Sequence, residues 1–179
     1  MLATLLVILA TALQLRWQGR SWICNCGHFS FWISHAWSSE TSQHLFDPYS
    51  LTHVLHGLVF YGLLTLTVPK FSLRWRFWLA ILIESVWEVI ENTNYVIQRY
   101  REATAALGYE GDSVVNSLGD IVACGLGFWL ARKLGFRRSV ATFAIIEAGL
   151  LIAIRDSLLL NIVMLIYPIE ALRIWQGGG

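Results

Sequence analysis

Hydrophobic positions along this chain gather in long blocks separated by short polar stretches. Apolar runs cover Leu2–Leu15, Leu51–Val68, Trp75–Ile90 and Val114–Leu134. A further stretch, Val140–Ile169, is too long for one straight span and is broken by Arg155-Asp156. It reads as two short segments, Val140–Ile154 and Leu158–Ile169, or as one strongly tilted helix. A crossing helix needs roughly 20 mostly apolar residues and must satisfy its own backbone polar groups. The pattern therefore predicts an all-α membrane protein, a bundle of five or six transmembrane helices forming one domain over residues 1–176. The alternating strands of a closed barrel do not occur in the sequence. Leu2–Leu15 holds an A-x-A at Ala10-Thr11-Ala12 but lacks a basic leader, so it is expected to be a retained anchor. The terminal Gly177-Gly178-Gly179 is set aside as a fusion scar.

Ionisable residues inside these blocks fall into stripes. His53 and His56 lie three apart at the start of the second block. Glu84, Glu88 and Glu91 run i, i+4, i+7 at the end of the third, followed by Asn92. Asp112, Asn116 and Asp120 repeat every four residues into the fourth. Each spacing places its set on one helical face. His44 and Asp47 lead into the second block, where Asp47-Pro48 reads as a turn. Such groups at membrane depth are costly and usually face a bundle interior or a water-filled cavity.

Composition supports the membrane reading. The 179 residues are 56% hydrophobic and 14% charged, whereas soluble domains run near 45–50% and about 25%. The formal net charge of +1 gives no basic footprint for nucleic acid. The loops Lys70–Arg76 and Arg132–Arg138 carry only basic charges, Lys70, Arg74, Arg76, Arg132, Lys133, Arg137 and Arg138. The opposite loops hold Arg16, Arg20, Arg99 and Arg101 but also Glu40, Asp47, Glu102 and Glu110. The basic bias puts the first pair in the cytoplasm. The loop 16–50 is then external, and all three polar stripes fall in the outer half of their helices. Trp17, Trp22, Trp32, Trp37, Trp75 and Trp78 read as interfacial anchors.

Two histidines beside carboxylates suit Zn²⁺, and carboxylate-rich sets suit Mg²⁺, Mn²⁺ or Ca²⁺. The expected metal ligands are His53 and His56 with Glu88 or Asp120. Glu84, Glu91 and Asp112 are the candidate catalytic carboxylates, one of them a general base. Arg99, Arg101 and Arg155, with Asn116, are the candidates for holding a phosphate or another substrate group. A metal-dependent hydrolase or transferase acting on a lipid-like substrate from surrounding membrane lipids fits this set. Alternatives are a non-catalytic small subunit or assembly factor with partner subunits in a membrane complex, and a proton-coupled transporter, for which no inverted repeat is apparent. The stripes would equally serve as hydrogen-bonding glue between helices, with Arg155 neutralising Glu88 or Asp120. No H-E-x-x-H, P-loop or G-x-S-x-G occurs. Three cysteines make no disulfide framework. Cys124 reads as a small core residue. Cys24 and Cys26 are too close for an unstrained bridge, leaving pairing elsewhere, a redox role or a soft metal site. His28 and His35 read as ordinary exposed residues.

The chain also resembles a family of uncharacterised bacterial multi-pass inner-membrane proteins, one carrying a domain-of-unknown-function label. The resemblance rests on Ser42–Ser50, Thr52–Gly57, Trp87–Asn92, Arg99–Thr104, Gly111–Asp120 and the Arg155-Asp156 and Asn161 segment. It implies a bacterial inner-membrane location and no assigned activity. More loosely, successive His, Glu and Asp/Asn stripes are similar to VanZ-like membrane proteins.

Overall fold

A computed structural model describes residues 2–105 and 108–178. Gly179, at the end of the terminal glycine tract, lies outside them. The described residues form eight helices: α1 (Leu2–Trp17), α2 (Ser50–Thr67), α3 (Leu73–Glu91), α4 (Asn94–Ala103), α5 (Val114–Leu134), α6 (Phe136–Ile154), α7 (Leu158–Ile166) and α8 (Glu170–Gln176). Their extended pairing is limited to a bridge between Trp32 and Phe46. By length and composition α2 and α5 are able to cross a membrane, and α6 with α7 reaches that standard as a pair bent by 72°. α1 is apolar but shorter.

The α2–α5 pair forms the centre of the bundle, and small residues explain why. A Cβ on Gly57 would strike the backbone of Cys124 and Phe128, and one on Gly127 would strike the carbonyl of Val54. Ala123 and Ala131 continue the same face of α5 and are fully packed. Small side chains at this spacing let two backbones approach closely where lipid supplies no hydrophobic drive. α3 packs on both α2 and α5, and α1 packs on α3. Arg76 donates to Thr65 Oγ1 at 2.8 Å, so α3 begins where α2 ends and the two run antiparallel.

The opposite end is closed by loop 18–49. The first backbone N–H groups of α5 have no partner within their own helix, and the loop supplies some of them. Val114 N–H donates to Ser21 O at 2.8 Å and Val115 N–H to Trp22 O at 3.0 Å. Ser113 Oγ accepts from Asn116 N–H at 3.2 Å. Gly119 lies against the Leu45 carbonyl with no room for a side chain. Asp47 holds the turn before α2 by accepting from Ser42 N–H and Tyr49 N–H, both at 2.7 Å. Burial raises the Asp47 carboxyl above its ordinary value, against the pull of those two donors.

The expected break at Arg155-Asp156 is present. Arg155 ends α6 in the left-handed conformation, φ 55°. Glu147 reaches across the break and accepts from Leu158 N–H at 2.9 Å and Leu159 N–H at 3.3 Å. A carboxylate at a helix N-terminus satisfies orphan donors and complements the helix dipole. α4 and α8, both short and polar, were not predicted by the apolar pattern.

Candidate metal centre

Antiparallel packing brings the early turns of α2 and α5 beside the late turns of α3. His53 Nδ1 lies 2.5 Å from Glu84 Oε1 and 3.3 Å from Glu88 Oε1. Its Nε2 lies 3.8 Å from Asp120 Oδ2. His56, one turn further on, places Nδ1 3.0 Å from Glu84 Oε2. The His56 ring stacks on Phe60 and meets Trp87 edge-on. Glu84 and Glu88 are wholly buried, and His53 and Asp120 nearly so. Of the four expected ligands, His53 therefore lies between Glu88 on one ring nitrogen and Asp120 on the other.

Glu84, one of the candidate catalytic carboxylates, faces His53 together with Glu88. It is the carboxylate shared by both histidines, while Glu88 has neither oxygen in a hydrogen bond. Ligand atoms of His53, His56 and Glu84 lie within 4.8 Å of one another, as do those of His53, Glu88 and Glu91. Both groups could hold a metal ion. Charge makes the cluster demanding. Among the described residues no Lys or Arg forms an ion pair with Glu84, Glu88 or Asp120; histidine is their only cationic neighbour in such a pair. Buried carboxylates without compensating charge are costly. Full ionisation of all three would leave a net negative centre even with both histidines protonated.

Towards the loop lies a second polar layer. Asn92 Nδ2 donates to Asp112 Oδ2 at 2.7 Å, and Asp112 N–H donates back to Asn92 Oδ1 at 2.7 Å. Tyr109 OH donates to Asp112 Oδ1 at 2.8 Å, and Tyr100 OH to Glu91 Oε1 at 2.9 Å. Burial raises the Asp112 carboxyl above its ordinary 3.8, opposed by the Asn92 and Tyr109 donors. Tyr100 and Tyr109 carried no sequence signal for this role, because α4 and the following loop lack an apolar frame.

The candidate substrate-binding residues point to other work. Asn116 Nδ2 donates to His44 O at 2.8 Å, tying the loop to α5. Arg99 donates to the carbonyls of Leu165 and Ile166, Arg101 to that of Tyr109, and Arg155 to that of Trp175. Arg155 is exposed and bonds α8, in place of the expected pairing with Glu88 or Asp120. Concavities of about 380 and 350 Å³ lie instead between the loop residues Ser34–Ser38 or Trp32 and the end of α6. Neither is lined by the His/Glu cluster.

In the loop, Cys24 and Cys26 are joined to each other by a disulfide, a pairing the sequence reading left aside in expecting no unstrained bridge at this spacing. One intervening residue is enough when the chain turns there. His28, exposed as expected, has Nε2 3.5 Å from Glu40 Oε2, as does His44. Cys124 is a free, buried thiol, as expected.

The family described as "Protein of unknown function (DUF2585)" matches residues 15–178. A UPF0314 protein of Paracoccus denitrificans is 50% identical over 176 residues, covering 98% of this chain and 91% of the relative. UPF0314 proteins of Brucella anthropi and Novosphingobium aromaticivorans are each 43% identical, over 99% of this chain and 91% and 92% of their own lengths. No solved structure matches the chain. The looser likeness to VanZ-like proteins is not shown by these relatives. Agreement along nearly the whole length makes the chain a member of the DUF2585 family.

Proposed function

We propose that this protein is a five- or six-span bacterial inner-membrane protein that binds a divalent metal, Zn²⁺ first, and acts as a hydrolase or transferase on a lipid-like substrate near the outer leaflet. The observation that carries the reading is the cluster of buried His53, partly buried His56 and three buried carboxylates, with no Lys or Arg among the described residues ion-paired to it. A divalent cation would relieve its surplus negative charge. His53, His56 and Glu84 form a His₂Glu set, a known donor combination for catalytic zinc that leaves a fourth position open. Glu84 thus replaces Glu88 or Asp120 as the third ligand in our reading.

The remaining groups then take definite roles. Asp120 faces Nε2 of His53. A proton on that nitrogen would leave Nδ1 free to ligate, the carboxylate–histidine–metal arrangement that fixes tautomer and ring orientation. Bound metal would supply a nucleophilic hydroxide at neutral pH. Glu88, adjacent to His53 and free of hydrogen bonds, would accept the proton of the attacking water. Bundle packing around the cluster excludes bulk water, which strengthens each of these interactions. In the test, protein loaded with Zn²⁺ or Mn²⁺ is incubated in liposomes of bacterial lipid extract, and the lipids are followed by mass spectrometry. Glu88→Gln is expected to keep the metal and lose roughly 10²–10⁴-fold in turnover. Metal-loaded protein that alters no lipid would sink the catalytic reading and favour a role as a subunit of a larger complex.

A further inference from the structure

The external loop contains a second chemical centre, independent of the metal reading. Cys24 is buried and Cys26 exposed, so an incoming thiol can reach one sulfur of the bridge. Behind Cys26 lies His44, only 1% exposed and held on both sides. Its carbonyl accepts from Asn116, and its Nδ1 accepts from Ser30 N–H at 3.0 Å. A ring nitrogen that accepts from a backbone N–H carries no proton, so in the neutral ring the proton sits on Nε2. That N–H lies 3.6 Å from Cys26 Sγ. Glu40 Oε2 lies 3.5 Å from the same Nε2 as a second acceptor, and a Glu40 carboxylate oxygen and a His28 ring nitrogen lie within 4.8 Å of Cys26 Sγ. This tautomer makes Nε2 a poor metal ligand and a good donor to a thiolate. Cys24 Sγ in turn accepts from Cys26 N–H at 3.1 Å. Both sulfurs therefore have a donor ready for the negative charge that reduction creates.

We propose that Cys24 and Cys26 form a redox-active pair that exchanges its disulfide with a dithiol partner, His44 activating Cys26. A partner thiolate attacks the exposed Cys26 Sγ, forming a mixed disulfide, and the Cys24–Cys26 bond breaks. Cys24 leaves as a thiolate facing the Cys26 N–H. The partner's second thiolate attacks its own sulfur in the mixed disulfide and expels Cys26 as a thiolate facing His44 Nε2–H. The partner loses two electrons and becomes a disulfide; the pair gains them and, on protonation, becomes a dithiol. Charge-assisted bonds of this kind lower a thiol's pKa and make it a better leaving group.

The experiment uses the full-length protein in detergent, in a Cys124→Ala background so that only this pair reports. It is equilibrated in mixtures of reduced and oxidised glutathione, trapped with a maleimide that adds mass, and analysed by mass spectrometry. Alkylation of the reduced protein by iodoacetamide is then followed against pH. The pair is expected to gain and lose two labels together and reversibly. Alkylation should rise with an inflection at least one pH unit below the roughly 8.5 of a free cysteine. His44→Gln, checked by circular dichroism and monodisperse elution, should move the inflection back up. The wild-type curves decide the matter even where that variant does not fold. A wild-type inflection at or above 8.5 would overturn the proposal. So would a pair that never interconverts, or a reduced pair that takes up stoichiometric Zn²⁺ when the metal alone is added.

Discussion

At the scale of single residues, the chemistry follows from which groups are forced to share a dry space. Asp112 makes the point for protons. Its folded value lies above the ordinary 3.8 because burial disfavours the carboxylate, so the native state holds this proton more tightly than the unfolded chain. Stability then falls as pH rises through the ordinary value towards the folded one. As pH rises above about 4, the wild type should lose thermal stability more steeply than Asp112→Asn; parallel pH curves would contradict this. The stripes that carry the cluster were legible because one helix fixes the spacing of His53 with His56 and of Glu84 with Glu88. The partners were not. Whether His53 meets Glu84 or Glu88 depends on how α2 sits along α3, and no spacing within either helix encodes that. Nor does the sequence show where the arginines point: Arg99 and Arg155 donate to backbone carbonyls at the ends of other helices.

At the scale of elements, apolar runs located the long helices well. The fourth run coincides with α5, the second differs from α2 by one residue at each end, and the break at Arg155 ends α6 as expected. α4 was missed because it is held by a polar cap, Thr93 Oγ1 accepting from Val96 N–H at 3.4 Å, and carries no long apolar run. Two substitutions test what holds the elements in register. Gly127→Leu would drive a side chain into the Val54 carbonyl and should cost about 1–3 kcal/mol or more, measured by thermal unfolding in detergent. An unchanged midpoint would mean that α2 and α5 are not in close backbone contact. Glu147→Ala removes the acceptor for two N–H groups of α7 and should cost about 1 kcal/mol, read in the same way.

At the scale of the whole molecule, the polar ends of α1, α2, α3 and α5 gather under one loop, while the opposite end carries the purely basic connections. That asymmetry is the physical basis of the proposed orientation. A cysteine at exposed Ser39 should react with a membrane-impermeant maleimide in intact cells, and one at exposed Lys70 only after lysis; the reverse would invert the topology. We read the buried cluster as a metal site and not as helix-packing glue. Elemental analysis of the purified protein tests it most directly, comparing wild type with a folded His53→Ala/His56→Ala variant. About one equivalent of a divalent metal is expected in the wild type, with its loss from the variant. Metal in neither, even after reconstitution with Zn²⁺ and Mn²⁺, would contradict it and leave the histidines and carboxylates as contacts between helices.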